Sequence, residues 1–422
     1  MLLEEKQHII LQYKVERVKQ YIKLILMCIS ILICFIHIEY LLWMLIVWFI
    51  IESILNREIK TATQQFINHS TINYRIELVF ALEFFLCISS SFWPNTIKSV
   101  FMIIMLLFLY RLLQLTATAQ WQLNTIKLFI SIIALILSSI TILSFGFHYL
   151  KFSPSDIGDL SYVKHFYAPL GIIANDWATI FICLLPFPFS LLSIDTNKIQ
   201  LLFIGISALV LYAILITLSR GAILSVLFFL ICLFVFTYLW QREKLKKLFI
   251  QTSIITAIAL LFCIPIKQSF TTTLGIIKNT SQKRSIEGRI SKWKESLYLF
   301  QQHPIVGVGT GNYALASYNI IGKDKEYFNP RCTNSYLQVL VEKGVLGAVV
   351  YGGFLVHIFI ISFRKIKTGN WDCLIFTSGL VALCVRELSF SSLLENHSVL
   401  TLSMLIMAFS SQTWVNLKKT SK

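Results

Sequence analysis

Residues 221–240, GAILSVLFFLICLFVFTYLW, run for twenty residues without a charge. A helix of that length covers about 30 Å, the thickness of a bilayer's hydrocarbon core. Lipid offers the backbone no hydrogen-bonding partner, so a spanning segment must be a helix or part of a closed barrel. The apolar residues are continuous rather than alternating, which selects the helix. Similar stretches recur along the 422 residues, of which 56% are hydrophobic and only 14% charged, with a mean hydropathy of +0.72. That composition excludes a soluble domain.

Working outward, spans are predicted near 24–38, 40–55, 76–93, 97–115, 127–146, 172–194, 200–218, 221–240, 248–266, 341–363, 372–390 and 398–415. This is an all-α polytopic membrane protein of about twelve helices. The net charge of +16 is spread over short clusters flanking the spans, as in cytoplasmic loops, so membrane lipid rather than nucleic acid is the expected neighbour. Arg242, Lys244, Lys246 and Lys247, then Arg364, Lys365 and Lys367, then Lys418, Lys419 and Lys422 fall on one side. The N-terminal stretch with Lys14, Arg17, Lys19 and Lys23 is too long and too charged for a signal peptide and reads as a retained cytoplasmic flank. Both termini are thereby expected in the cytoplasm and residues 267–340 outside, with 147–171 as a smaller external partner.

Eight of nine cysteines lie inside apolar spans and only Cys332 falls in the long segment, so a disulfide framework is not expected. There is no CxxC or HExxH spacing, and the reading assigns neither a metal nor a cofactor.

A connection of roughly 70 residues between two spans is far longer than a structural loop needs to be. It carries SIEGRISKWKESLYLFQQHPIVGVGTGNY (285–313) and NPRCTNSYLQVLVEKGVLG (329–347). In the first, Ile290, Trp293, Leu297 and Phe300 recur at helical spacing, predicting an amphipathic helix with Arg289, Lys292 and Glu295 elsewhere on its surface, able to lie on the membrane. His303 and Pro304 lead into Gly307, Gly309 and Gly311, which read as a tight turn because the Lys-Ser/Thr pair of a phosphate loop is missing. In the second, Thr333, Asn334 or Ser335 can cap the next helix, whose exposed N–H groups would also attract an anion.

Arg220 stands between two spans joined by almost nothing, either as an arginine snorkelling to the interface or as a guanidinium holding an anion in an external cavity. Arginine's planar fork suits phosphate oxygens, and Arg220 with Arg289 would hold a diphosphate. Arg386 and Glu387 suggest an intramembrane ion pair, and His397 lies just outside the last span as a candidate base or a solvated loop histidine. Glu77 and Glu83 are left to structure.

LSRGA (218–222), GRxxxW (288–293), HPxxGVGxGN (303–312) and TNSYL leading into EKGVLG, in this order, resemble the bacterial O-antigen ligase and O-antigen polymerase superfamily. GIIANDWATIFICLLPF (171–187), with Asn175 and Asp176, is similar to that family's Asn-containing start of a helix. The resemblance covers roughly 170–350 and implies a GT-C-like organisation: N-terminal membrane helices over 1–170, the signature region over 171–350 and C-terminal helices over 351–422. It implies a metal-independent inverting glycosyltransferase that moves a glycan from undecaprenyl diphosphate to a glycan or lipid acceptor hydroxyl on the outer face of the bacterial inner membrane. Arg220 and Arg289 match the two arginines that hold the diphosphate, and His397 joins them as the third catalytic candidate. The expected substrate contacts are Asn175, Lys292, Trp293, His303, Arg331, Thr333, Asn334 and Tyr336.

One position departs from the pattern. The ligase branch has a histidine, proposed to activate the acceptor, where this chain has Thr333, and threonine is no base near neutral pH. Either His397 or His303 substitutes, or leaving-group stabilisation suffices, or the chain is polymerase-like with Asn334 and Tyr336 contacting the acceptor; the last is favoured. Rival readings are a transporter or flippase of the lipid-linked sugar and a non-catalytic member of an envelope-polysaccharide complex.

Overall fold

The computed structural model describes residues 17–32, 73–90, 93–116, 119–149, 172–193, 196–264, 280–319, 331–391 and 396–411. The predicted span 40–55 and nearly all of the external segment 147–171 lie outside them. The described residues are mostly helical, without strands. The helices are α1 (17–32), α2 (Asn73–Ser89), α3 (Trp93–Thr116), α4 (Gln120–Tyr149), α5 (Ala174–Leu184), α6 (Pro186–Leu191), α7 (Asn197–Ile216), α8 (Arg220–Trp240) and α9 (Leu245–Phe262), then α10 (Thr280–Gln302), α11 (Tyr313–Ser317), α12 (Ser335–Lys367), α13 (Trp371–Glu387) and α14 (His397–Ser411). Eleven of the predicted spans overlap these helices, one to one except that 172–194 is two helices broken before Pro186, where the ring removes a backbone donor. Among the described residues, six segments are long and apolar enough to cross a membrane: Gln120–Phe147, Ala174–Leu191, Asn197–Ile216, Arg220–Trp240, Arg242–Phe262 and Ser335–Lys367.

Within the bundle, α5, α6 and α13 are central. Nearly every side chain of Ala174–Leu191 is buried, and α13 touches α5, α6, α8, α12 and α14. Phe187, Phe376 and Phe409 close the middle, with ring centroids 4.8–5.7 Å apart. Without a hydrophobic driving force between helices in lipid, such dispersion contacts carry the packing. The outer helices α4, α8 and α9 turn Ile136, Leu143, Leu227, Ile231, Leu260 and Leu261 outward, as lipid-facing surfaces require.

The segment between α9 and α12 has its own small core of Leu299, Tyr313, Ala316, Cys332 and Val341. Here α10 is the amphipathic helix read from its sequence, with its polar side turned to the protein. Its buried face is Glu295, Ser296 and Leu299, whereas Ile290 and Leu297, predicted to face the protein or membrane together with Trp293, are 45% and 46% exposed. The polar face turns inward because it finds partners there: Lys292 Nζ bonds Glu295 at 3.0 Å, Ser317 donates to Glu295, and Ser296 lies 3.1 Å from the Tyr313 hydroxyl. The apolar stripe of Ile286, Ile290 and Leu297 is left outward, the arrangement of an interfacial helix.

The predicted glycine turn closes on a break in α12. Gly344 has φ 63° and ψ −162°, a region open essentially to glycine alone. Around it the Val341 and Glu342 carbonyls accept from the Val308 and Gly309 amides at 2.9 Å, and the Val345 and Leu346 amides donate to the Pro304 and Ile305 carbonyls at 2.9 and 3.2 Å. In an unbroken helix those four groups would satisfy each other. A Cβ at Gly344 would stand 2.2 Å from the Ile305 oxygen.

Glu83, expected only to be structural, is the buried partner of this joint. Its carboxylate receives Lys343 Nζ at 2.5 Å, the Thr310 hydroxyl at 2.8 Å and the Tyr351 hydroxyl, and both members of the ion pair have fully buried side chains. Three donors on one carboxylate are what such a pair needs away from water.

Two changes at this joint test its weight. Lys343→Met leaves Glu83 charged and buried, and lowers stability by about 3–5 kcal/mol, while the double variant Glu83→Leu/Lys343→Met recovers most of it; thermal unfolding in detergent measures both. Gly344→Ala costs at least about 2 kcal/mol in the same assay, from the backbone region and the clash together.

Candidate functional site

Arg220 opens α8 directly after the turn that ends α7. In that turn Leu218 has φ 51°, the only positive φ outside glycine among the described residues. Ser219 occupies the N-cap position without capping; its hydroxyl donates instead to Asn175 Oδ1 at 2.9 Å. The start of α8 is thereby tied to the start of α5. Gly221 permits a second tie, since a Cβ there would lie 2.4 Å from Ser389 Oγ and 2.7 Å from an Arg386 nitrogen. Arg220 stands at one end of α8 and Arg242 and Lys244 just past the other, roughly 30 Å away.

Arg386 is 1% exposed at the C-terminal end of α13. Its Nε donates to Thr179 Oγ1 at 3.0 Å, one terminal nitrogen to the Asn175 carbonyl at 3.0 Å and the other to Ser389 Oγ at 3.5 Å, with the Phe390 ring 5.0 Å from the guanidinium carbon. The expected side-chain pair with Glu387 gives way to these contacts. Neighbouring helix positions do not face one another, and Glu387 accepts from Ser335 at the start of α12. Arg386 nevertheless lies within electrostatic range of Glu387, Arg289 and Asp176.

Arg289 approaches from α10. Burial, and after it the charge of Arg220, hold its guanidinium below the usual arginine range. The two arginines singled out by sequence thus lie within electrostatic range of each other, although they come from helices on either side of a long connection. One helical turn on, the Trp293 Nε1 is buried and makes no hydrogen bond. Lys292, on the same helix, is engaged by Glu295.

The lead-in to α12 completes the cluster. Arg331 donates to Asp176 Oδ2 at 3.1 Å. The Cys332 thiol donates to the Asn334 carbonyl at 3.1 Å and lies 3.5 Å from Ser296 on α10, so this strand of chain is pinned to the helix that bears Arg289. Thr333 Oγ1 is buried with no hydrogen-bond partner. Of the three candidate caps, Asn334 is the one used: its Oδ1 accepts from the Tyr336 and Leu337 amides at 2.9 and 3.1 Å, and its Nδ2 donates to the Leu388 carbonyl at 3.1 Å. Tyr336 donates its hydroxyl to the Cys384 carbonyl at 2.9 Å.

Below Ser335 and Glu387 opens an apolar cavity of about 270 Å³ between α2, α3, α12, α13 and α14, lined by Tyr336, Leu340, Tyr351, Leu383 and Met404.

Not every predicted residue joins the cluster. His303 is exposed one residue past α10, roughly 20 Å along that helix from Arg289, beside the Gly344 joint. His397 is the first residue of α14, and its side chain lies outside the described atoms. Two residues gain a weight beyond the sequence reading: Asp176, noted there only beside Asn175, and Arg386, read there only as the partner of Glu387. The available signal is their charge inside otherwise apolar helices, which by default marks a functional position.

Residues 205–352, roughly a third of the chain, match the family model described as Wzy_C, O-Antigen ligase. No curated protein matches the chain. The matched stretch holds Arg220, Arg289, the glycine turn and the lead-in to α12; Asn175, Asp176 and Arg386 lie outside it. Through that stretch the chain, whose described helices include several long and apolar enough to cross a membrane, is similar to O-antigen ligase domains, in keeping with the resemblance to the O-antigen ligase/polymerase superfamily.

Proposed function

We propose that this chain is a metal-independent, inverting glycosyltransferase of GT-C-like architecture. It takes a glycan from undecaprenyl diphosphate and joins it to an acceptor hydroxyl on the extracytoplasmic face of the bacterial inner membrane, as polymerase or ligase of a surface polysaccharide. The observation that carries this is the gathering of arginines at one end of the bundle, where Arg331 pairs with Asp176, Arg386 bonds Thr179 and the Asn175 carbonyl, Ser219 ties the start of α8 to Asn175, and Arg289 lies within electrostatic range of Arg220 and Arg386. Two like charges held together at a partly buried site are unfavourable until an anion arrives, and perturbed groups of this kind cluster where chemistry is done.

In this reading the pair binds the diphosphate and stabilises the charge that grows on it as the glycosidic bond breaks, the electrostatic contribution that is usually largest. Arg386, Asn175 and Ser219 hold Arg220 in position. The apolar cavity beside Ser335 and Glu387 suits a hydrocarbon part of a lipid substrate. The basic residues at the far ends of α8 and α12 support an extracytoplasmic site with cytoplasmic termini.

Arg220→Ala and Arg289→Ala each reduce glycan transfer at least about 100-fold while the protein still inserts in the membrane. Arg289→Lys recovers little of it, because an ammonium cannot reproduce the two-pronged contact. The measurement is conversion of a purified polyprenyl-diphosphate oligosaccharide by the reconstituted protein in the presence of chelator. A ladder of products marks a polymerase and a single adduct a ligase; normal transfer by both alanine variants refutes the assignment, and translocation of an intact carrier would mark a flippase.

A further inference from the structure

The structure leaves the acceptor side of this reaction without the histidine that the family resemblance expects, since the residue at that place is Thr333. Nearby is a carboxylate that has no evident structural use for one of its oxygens. Asp176, in the first turn of α5, is 4% exposed. Its Oδ2 receives Arg331, but its Oδ1 is buried and accepts no hydrogen bond. A buried carboxylate oxygen ordinarily has a donor, and leaving one without carries the full desolvation penalty of that group. Thr333 Oγ1, two residues from Arg331, and Trp293 Nε1 are buried and unsatisfied as well. Each of the three stands next to an arginine, Asp176 paired with Arg331, Thr333 two residues beyond it and Trp293 one helical turn from Arg289, and each is a group that a hydroxyl-rich ligand would satisfy.

We infer that Asp176 is the general base that accepts the proton of the acceptor hydroxyl, with Thr333 and Trp293 contacting the same acceptor. The inference rests on the glycosyl-transfer reading. Arg331 fixes the carboxylate through Oδ2, and the Arg386 guanidinium stands within electrostatic range of it. The side chain of Arg331 is one-third exposed, so the residue that holds the carboxylate stands at the solvent edge of the cluster. In the step, the acceptor O–H bond breaks and its proton passes to Asp176 Oδ1. The oxygen's electron pair forms the new bond to the anomeric carbon, and the bond from that carbon to the diphosphate oxygen breaks with its pair leaving on the diphosphate, beside Arg220 and Arg289. The protonated Asp176 then releases its proton to water. A carboxylate base opposite the leaving group is the geometry that inversion requires.

The test uses the full-length protein reconstituted with a polyprenyl-diphosphate oligosaccharide, comparing wild type, Asp176→Asn, Asp176→Glu and Arg331→Gln in single-turnover transfer at saturating donor, with donor binding measured in parallel. Asp176→Asn is expected to slow transfer about 100-fold or more, the usual weight of a general base, with donor binding within about two-fold of wild type. Asp176→Glu regains part of the rate, and Arg331→Gln loses less than about ten-fold because the base survives it. Transfer by Asp176→Asn within about three-fold of wild type overturns the inference. So do equal losses in Asp176→Asn and Arg331→Gln, which would make the carboxylate only an anchor for the loop, and so does lost donor binding in both Asp176 variants. If wild type itself leaves the donor intact, the transfer reading fails and the base with it, an outcome distinct from an active wild type beside an unaffected Asp176→Asn.

Discussion

Backbone hydrogen bonding at the break in α12 is the interaction on which the outer part of this protein depends. A helix that stops pairing with itself at Gly344 exposes two carbonyls and two amides, and in an apolar setting each must find another partner. Residues 304–309 supply all four. The turn that does so leads out of α10, so the joint sets where α10 ends and therefore which way Arg289 is carried. Gly311 and Asn312 extend the fastening, through the Glu342 carboxylate on one side and through Ser90 and Thr96 on the other. The Glu83–Lys343 pair then locks the joint to α2.

Charge is distributed by the same rule. At the end of the bundle away from the arginines, Lys127 and Asp372 meet at 2.9 Å between α4 and α13. At the other end the balance differs: Arg331 pairs with Asp176, Arg386 lies within electrostatic range of Asp176, Glu387 and Arg289, and Arg289 within range of Arg220, so positive charge is in excess near the apolar cavity that Glu387 helps to line. A headgroup with two phosphates on a hydrocarbon tail complements both features. A protein using these helices only to fill the membrane would have no reason to hold four guanidinium groups near one another.

Much of the helical layout is legible in the order of residues along the chain. Eleven of the apolar runs fall on helices, and Arg220 and Arg289 stand out as arginines flanking apolar or amphipathic segments. The glycine turn is readable too, since Gly307, Gly309 and Gly311 all have positive φ. The buried face of α10 is not. Periodicity counts apolar residues and favours Ile290 and Leu297, but Glu295 and Ser296 turn inward because Ser317, Tyr313 and Cys332 wait there with complementary groups. Proximity in sequence groups His303 with Arg289, and a straight helix of several turns converts that proximity into distance.

The sequence by itself determined that this is a helical membrane protein, where its helices run and which arginines could bind an anion, because span length and apolarity are local properties that lipid reads directly. Tertiary structure alone decided the partner of each buried charge. Lys343 meets Glu83 across 260 residues, Arg386 meets the Asn175 carbonyl across 211, and Arg331 meets Asp176 across 155. Such pairings come from the packing of distant helices, where desolvation makes an unmatched charge too costly to keep. Only that packing shows that Asp176 retains an oxygen with nothing to accept.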